Sequence, residues 1–155
     1  MSTVAPPWSY TLHLSRDPRS PGIARSTLRS VLAAYKLGGL APTAELLASE
    51  LLTNAHLHTG GPYALHISPL ASGQLRLGVW DKDPAVPSGL GAGFAHGVMP
   101  DEGSESGRGL ALVRAYADAW GASLLGEPGG PSGGKVLWAE CGWRGPSQQP
   151  CQCRP

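Results

Sequence analysis

The sequence predicts an α+β two-layer sandwich, in which a mixed β-sheet of about five strands has three helices on one face. Short runs with alternating apolar residues indicate strands, and three longer segments carry apolar residues at helical spacing. Two strand-to-strand joints are too short to hold a helix, which predicts antiparallel hairpins. The predicted order is β-α-α-β-β-lid-α-β-β, and 155 residues that are 41% hydrophobic suffice for one domain with a core.

The first half of the chain supplies one strand and two helices. Alternation from Trp8 to Leu14 predicts the strand, and Ser20 followed by Pro21 predicts an N-cap with proline at the first helical position. A second helix is predicted from Pro42 to about His58. The first helix is expected to bury one face, formed by Ile23, Ala24, Thr27, Leu28, Val31, Leu32 and Tyr35.

The second half returns to strands. Tyr63, Leu65 and Ile67 mark one strand, and Leu75, Leu77 and Val79 mark the next. The following segment, up to Ser106, has no sustained period, which is typical of a lid or binding loop. A third helix is expected from about Gly107 to Trp120. Residues 122–125 and 135–141 then predict a terminal hairpin.

Composition narrows the function classes. The net charge is +1, only 15% of residues are charged, and no basic stripe occurs, which argues against a nucleic-acid partner. No segment has the length and apolarity of a membrane span or a signal peptide, so we expect a cytoplasmic protein without a membrane partner. The distribution of glycine and proline predicts a domain over 8–143, an N-terminal tail over 1–7 and a disordered C-terminal tail over 144–155.

The second helix carries the first chemical signal. At about 100° per residue, Glu50 and Asn54 fall inside the apolar face, and His58 continues the same line. Burying an unpaired carboxylate costs several kcal/mol, so it needs a partner or a cation. A Glu/Asn pair one turn apart offers the hard oxygen ligands that Mg²⁺ prefers. The alternative is a buried Glu50 satisfied by a backbone group or an arginine.

Asp81 is the second signal, at the end of a predicted strand. It shares the parity of Leu75, Leu77 and Val79, so its carboxylate is expected to face the core, where it could accept a hydrogen bond from a ligand amino group. The alternative is an Asx-turn with the residues that follow it. Asp83 lies within that turn and is therefore the weaker candidate for contacting a ligand.

The third signal is the segment Ser106–Leu110, which opens the third helix. Gly107 and Gly109 would leave backbone amides accessible to an anion at a helix N-terminus, which makes this a phosphate-site candidate. The alternative is a flexible loop-to-helix junction. Taken in order along the chain, the three signals predict binding sites for the metal ion, the adenine and the phosphates of a nucleotide.

These segments resemble the motifs of the histidine-kinase-like ATPase domains of bacterial anti-sigma-factor serine/threonine kinases, a branch of the GHKL superfamily. Residues 49–60 resemble the N-box, 79–84 the start of the adenine-binding box, and 107–113 the second glycine box. The resemblance extends from about Trp8 to Trp143. It implies the GHKL ATPase fold, with ATP and Mg²⁺ as cofactors.

The resemblance also implies a role for each motif residue. Asn54 would coordinate Mg²⁺, Glu50 would act as the general base, and Asp81 would recognise the adenine amino group. The glycine-box residues Gly107, Arg108, Gly109 and Leu110 would hold the phosphates. The implied activity is phosphorylation of a serine on an antagonist protein, by a regulator that also binds a sigma factor. Relatives also form homodimers.

The chain departs from the family pattern at two points. Residues 81–85 lack both glycines of the Asp-x-Gly-x-Gly adenine box, and Ser132–Lys135 has no Thr where relatives often carry a Gly-Thr pair. The alternative function is a non-catalytic ATP-binding module that sequesters a partner protein. A metal site built from His56, His58 or the tail thiols Cys151 and Cys153 is disfavoured, because the two histidines point away from each other on a helix.

Overall fold

The computed structural model describes residues 7–87, 107–126 and 133–142. They form an α+β fold with five strands and three α-helices. The strands are β1 (Tyr10–Leu14), β2 (Tyr63–Pro69), β3 (Gln74–Asp81), β4 (Ala119–Leu125) and β5 (Gly134–Gly142). The helices are α1 (Ser20–Ala34), α2 (Ala41–His58) and α3 (Gly107–Tyr116). Most of the predicted lid and nearly all of both predicted tails lie outside the described residues.

The five strands form one sheet in the order β1-β2-β3-β5-β4. Every neighbouring pair is antiparallel, so the prediction of a mixed sheet was wrong for the described strands. The physical reason is the position of β5. The chain crosses from β3 through α3 to β4, and β5 then returns between them, so that β3 and β4 run the same way without touching.

One face of the sheet carries the hydrophobic core. Alternate residues of the three central strands are almost completely buried there, including Leu65, Leu77, Val79 and Leu137. Helix α2 packs against β2, β3 and β5 and also contacts the other two helices. It is therefore the central element of the helical layer. Among the described residues, no helix is long and apolar enough to cross a membrane.

The side chains on the opposite face of the sheet are only partly shielded from solvent. The Arg76 guanidinium lies 4.5 Å from the centroid of the Trp138 ring and pairs with Glu140. Gly121 sits beneath this tryptophan, and a Cβ atom there would lie 2.7 Å from the ring. Glycine at position 121 therefore allows the close approach of the indole to the backbone of β4.

Helix α1 differs from its prediction at the start and on its exposed side. The helix begins at Ser20 itself, whose hydroxyl donates to the carbonyl of Ser15, and Arg19 takes the N-cap position. Ile23 is exposed, and Tyr35 stacks on Trp8 with 4.2 Å between ring centroids. The buried stripe is the narrower set Ser20, Ala24, Leu28, Val31 and Leu32.

Helix α3 ends at Tyr116, four residues before the predicted end. The amide of Asp118 donates to the carbonyl of Glu140, so the chain has joined the sheet by this point. Trp120 belongs to β4 and packs against the core from there. Its helical spacing from Val113 and Tyr116 was coincidental.

Candidate functional site

The topology brings all three predicted segments to one end of the sheet. Asp81 ends β3, and it lies opposite Tyr63, the first residue of β2, and Lys135 near the start of β5. Helix α2 ends a few residues before β2, so Asn54 lies one turn from that same end. Helix α3 leads into the far end of β4 through two residues, so its N-terminus points back toward Asp81.

Asn54 lies at the margin of the buried face of α2. It is 8% exposed, and the centre of that face is formed by Ala44, Leu47, Ala48, Leu51 and Ala55. Within the described part of the chain its side chain makes no hydrogen bond, and no fully buried polar side-chain atom lacks a partner. The small exposed area of Asn54 therefore includes its amide, which is open to a ligand.

Glu50 is half-buried, so the prediction that it lies inside the apolar face was only partly correct. Its neighbour on the helix surface, Leu46, is also only half-buried, which places both at the edge of the packed stripe. The alternative of a buried Glu50 paired with an arginine does not hold among the described residues: Arg29 pairs with Glu45 instead. His58 is exposed and does not extend the line.

Asp81 faces the core, as its parity predicts, and is 1% exposed. It also makes the Asx-turn that was the alternative: Oδ1 accepts from the amide of Asp83 at 2.8 Å. The same oxygen accepts from Lys135 Nζ at 2.9 Å. Its other oxygen, Oδ2, has no hydrogen-bond partner within the described ranges.

Lys135 is the functional candidate that sequence reasoning missed. It is 2% exposed, and its ammonium group also donates to the carbonyl oxygen of Asp83 at 2.6 Å. An ammonium group is buried at such a site only when it is paired. The signal was available, because Lys135 shares the strand parity of Leu137, Ala139 and Cys141, which predicts that it faces the core.

Gly134 fixes the approach of β5 to β3 beside this pair. Its φ is +125°, and a Cβ atom would lie 2.3 Å from the carbonyl oxygen of Asp81. Both facts require glycine at this position. The backbone of Gly134 thus helps to hold the end of β3 against the start of β5.

The first turn of α3 consists of Gly107, Arg108, Gly109 and Leu110. The first four amides of an α-helix lack acceptors within the helix, and the helix dipole makes this end favourable for anions. Three of the four residues predicted to hold phosphate, Gly107, Arg108 and Gly109, therefore have amides that are free of the helical ladder. Leu110 is buried and anchors this turn in the core.

The histidines have packing partners elsewhere. His56 Nδ1 lies 3.0 Å from the Tyr63 hydroxyl, with the two rings perpendicular, and His66 hydrogen-bonds Thr11. Burial raises the pKa of the Tyr63 phenol. The described part of the chain contains no group of three or more His, Cys, Asp or Glu residues arranged to hold a metal. Cys151 and Cys153 lie outside it.

No protein-family model matches the chain. It is 43% identical over 81 residues to an uncharacterized protein of Streptomyces coelicolor, a match that covers 51% of this chain and 71% of the relative. The chain therefore belongs to the same family as this Streptomyces protein.

Proposed function

We propose that this protein binds ATP with Mg²⁺ at the end of the sheet where Asn54, Asp81 and the N-terminus of α3 meet. The observation that carries the proposal is the open amide of Asn54, a nine-tenths-buried polar group without a partner among the described residues. A second polar atom, Oδ2 of the buried Asp81, likewise has no hydrogen-bond partner among the described residues. Two such groups at one end of a fold favour a polar ligand there.

The donor set fits a magnesium nucleotide. Mg²⁺ in proteins usually takes one or two protein oxygens and completes its shell with phosphate oxygens and water. The Asn54 amide oxygen offers one such ligand, which leaves Glu50 for a separate role. The free amides of the first turn of α3 can donate to phosphate oxygens without a charged side chain. Bound Mg-ATP would supply a transferable phosphoryl group.

Each residue then has a distinct task. Asn54 holds the metal-bound triphosphate, Asp81 accepts a hydrogen bond from the adenine amino group, and Gly107–Leu110 bind phosphate oxygens. Glu50 is free to accept the proton of an attacking hydroxyl, because no described residue pairs with its carboxylate. In this proposal the α+β domain is a GHKL ATPase.

We infer that the biological role is that of an anti-sigma factor that phosphorylates a serine on an antagonist protein in the cytoplasm. This role rests on the motif resemblance together with the free carboxylate of Glu50. The sigma factor, the antagonist and a homodimeric assembly are parts of the same proposal. The second candidate, a non-catalytic ATP-binding module that sequesters a partner, needs Asn54 and Asp81 but not Glu50.

Replacing Glu50 separates the two roles. Glu50→Gln removes the base and keeps the size of the side chain, so phosphorylation of a purified antagonist with labelled Mg-ATP is expected to fall by about 10²-fold or more. ATP affinity should change less than threefold. The measurement pairs phosphate transfer with calorimetric titration of ATP.

Glu45→Gln is the matched control. Glu45 lies on the same helix and pairs with Arg29 at the surface, so its loss should leave transfer unchanged. If Glu50→Gln binds ATP and still phosphorylates at the wild-type rate, Glu50 is not the base. If the wild type binds ATP but labels no antagonist from its own genome, the kinase role is wrong and the sequestering module stands.

A further inference from the structure

The buried pair of Asp81 and Lys135 has an unused hydrogen-bonding capacity on each partner. Of the two carboxylate oxygens of Asp81, Oδ1 accepts two hydrogen bonds and Oδ2 none from the described residues. Of the three ammonium hydrogens of Lys135, two are directed at Asp81 and at the carbonyl of Asp83. The third has no acceptor in the described ranges.

We propose that Lys135 is a base-specificity residue that donates a hydrogen bond to N1 of adenine, while Asp81 accepts one from the neighbouring 6-amino group. This inference rests on the proposed ATP site and adds to it a residue and a mode of recognition. The two side chains lie directly opposite each other in the β3–β5 register. A free acceptor and a free donor are thus held side by side.

The pair is rigid as well as buried. The Asx-turn fixes Asp81, the Asp83 carbonyl fixes the ammonium group, and the side chains of Asp81 and Lys135 are only 2% and 3% exposed. Groups that are already oriented and desolvated lose little freedom when a ligand binds. The pair is therefore preorganised for a ligand edge that carries a donor next to an acceptor.

Adenine has such an edge, and guanine has the reverse. In adenine the exocyclic group donates and N1 accepts, whereas in guanine O6 accepts and N1–H donates. With Asp81 facing the exocyclic group, guanine would place O6 against a carboxylate and N1–H against an ammonium group. Unpaired or repulsive buried groups are costly, so the pair selects adenine over guanine.

The test is calorimetric titration of wild type and Lys135→Met with three Mg²⁺-bound nucleotides: ATP, 1-deaza-ATP and GTP. In 1-deaza-ATP a C–H replaces N1, which removes only the proposed acceptor. Wild type should bind 1-deaza-ATP at least about tenfold more weakly than ATP, as expected for a hydrogen bond from a charged donor. In Lys135→Met this difference should disappear. Lys82→Met, which removes an exposed lysine one residue from Asp81, should retain it.

A second variant guards against misfolding, because Lys135→Met leaves the Asp81 carboxylate buried without its cation. The double variant Asp81→Asn, Lys135→Met removes both charges and should likewise show no difference between ATP and 1-deaza-ATP. The wild-type comparison needs no variant at all.

Three results would overturn the inference while leaving the ATP site intact. The first is equal affinity of wild type for ATP and 1-deaza-ATP. The second is tighter binding of both by Lys135→Met, which would make Lys135 an obstruction in the site. Binding of GTP as tightly as ATP would also contradict the proposed selection. If wild type binds none of the three nucleotides, the proposed ATP site fails first.

Discussion

At the residue scale, the chemistry of this end of the sheet depends on polar groups placed where the core would otherwise be apolar. Asp81 and Lys135 are as buried as their leucine neighbours, and each is stabilised by the other. The alternation of apolar residues along β3 predicted that the side chain of Asp81 faces the core. The pairing with Lys135 depends on the β3–β5 register, which links strands that are not consecutive in sequence, and no local pattern contains that register.

The glycine beside this pair gives a prediction about stability. Gly134→Ala would introduce a Cβ atom 2.3 Å from the Asp81 carbonyl oxygen at a φ of +125°. Left-handed strain and overpacking each cost about 1–2 kcal/mol or more, so a fall of about 2–4 kcal/mol in the free energy of unfolding is expected. Urea denaturation measures it.

Gly38→Ala is the control for the glycine substitution. No atom lies within 4 Å of a Cβ at position 38, and its φ is not in the positive range. Its free energy of unfolding should stay within about 0.5 kcal/mol of wild type. A Gly134→Ala protein as stable as this control would show that β5 can shift away from Asp81.

At the scale of elements, periodicity predicted where helices and strands lie but not where the helices end. The strand parities of β2, β3 and β5 follow from apolar spacing, whereas the bounds of α2 were predicted to within one residue from Pro42 and from the break at Thr59–Pro62. Apolar spacing did not predict the early end of α3, because the backbone of Asp118 already hydrogen-bonds to the sheet. The antiparallel β3–β5 pairing was also missed, since it depends on where the last hairpin inserts.

The start of α1 gives a pH-dependent prediction. Hydrogen bonds from the side chain and the backbone amide of Arg19 lower the pKa of the Asp17 carboxyl from 3.8 to about 2. Because the folded-state pKa is the lower one, the stabilisation is fully present above about pH 4. It is lost as the pH falls through about 2.

Asp17→Ala should therefore lower stability at pH 7, and the difference from wild type should shrink steeply as the pH falls to about 2. Urea denaturation at the two pH values, followed by circular dichroism, measures this. Because Asp17 lies at the surface, added salt should reduce only the ion-pair part of the effect. A difference that persists unchanged at pH 2 would show that Asp17 acts without its charge.

At the scale of the whole molecule, α2 joins the structural and the proposed functional roles. Its centre packs on β3 and β5, while its last turns carry Glu50 and Asn54 to the end of the sheet where Asp81 lies. From three separate motifs, the sequence alone predicts that these residues serve one nucleotide. The chain directions place these motifs at the same end of the sheet. Helix α2 ends just before β2 begins at that end, and α3 begins at that end because its other end leads into the far end of β4.

Titration of the protein with ATP, with and without Mg²⁺, on wild type and Asn54→Ala tests the central claim most directly. Asn54 makes no hydrogen bond to the described residues, so its loss should not destabilise the fold, and alanine favours the helix by roughly 0.5 kcal/mol. Thr53→Ala, on the exposed side of the same helix, serves as the control. The account predicts magnesium-dependent ATP binding that Asn54→Ala weakens by at least about tenfold and Thr53→Ala leaves intact. ATP binding that ignores both magnesium and Asn54, or no binding to a folded wild type, would contradict it.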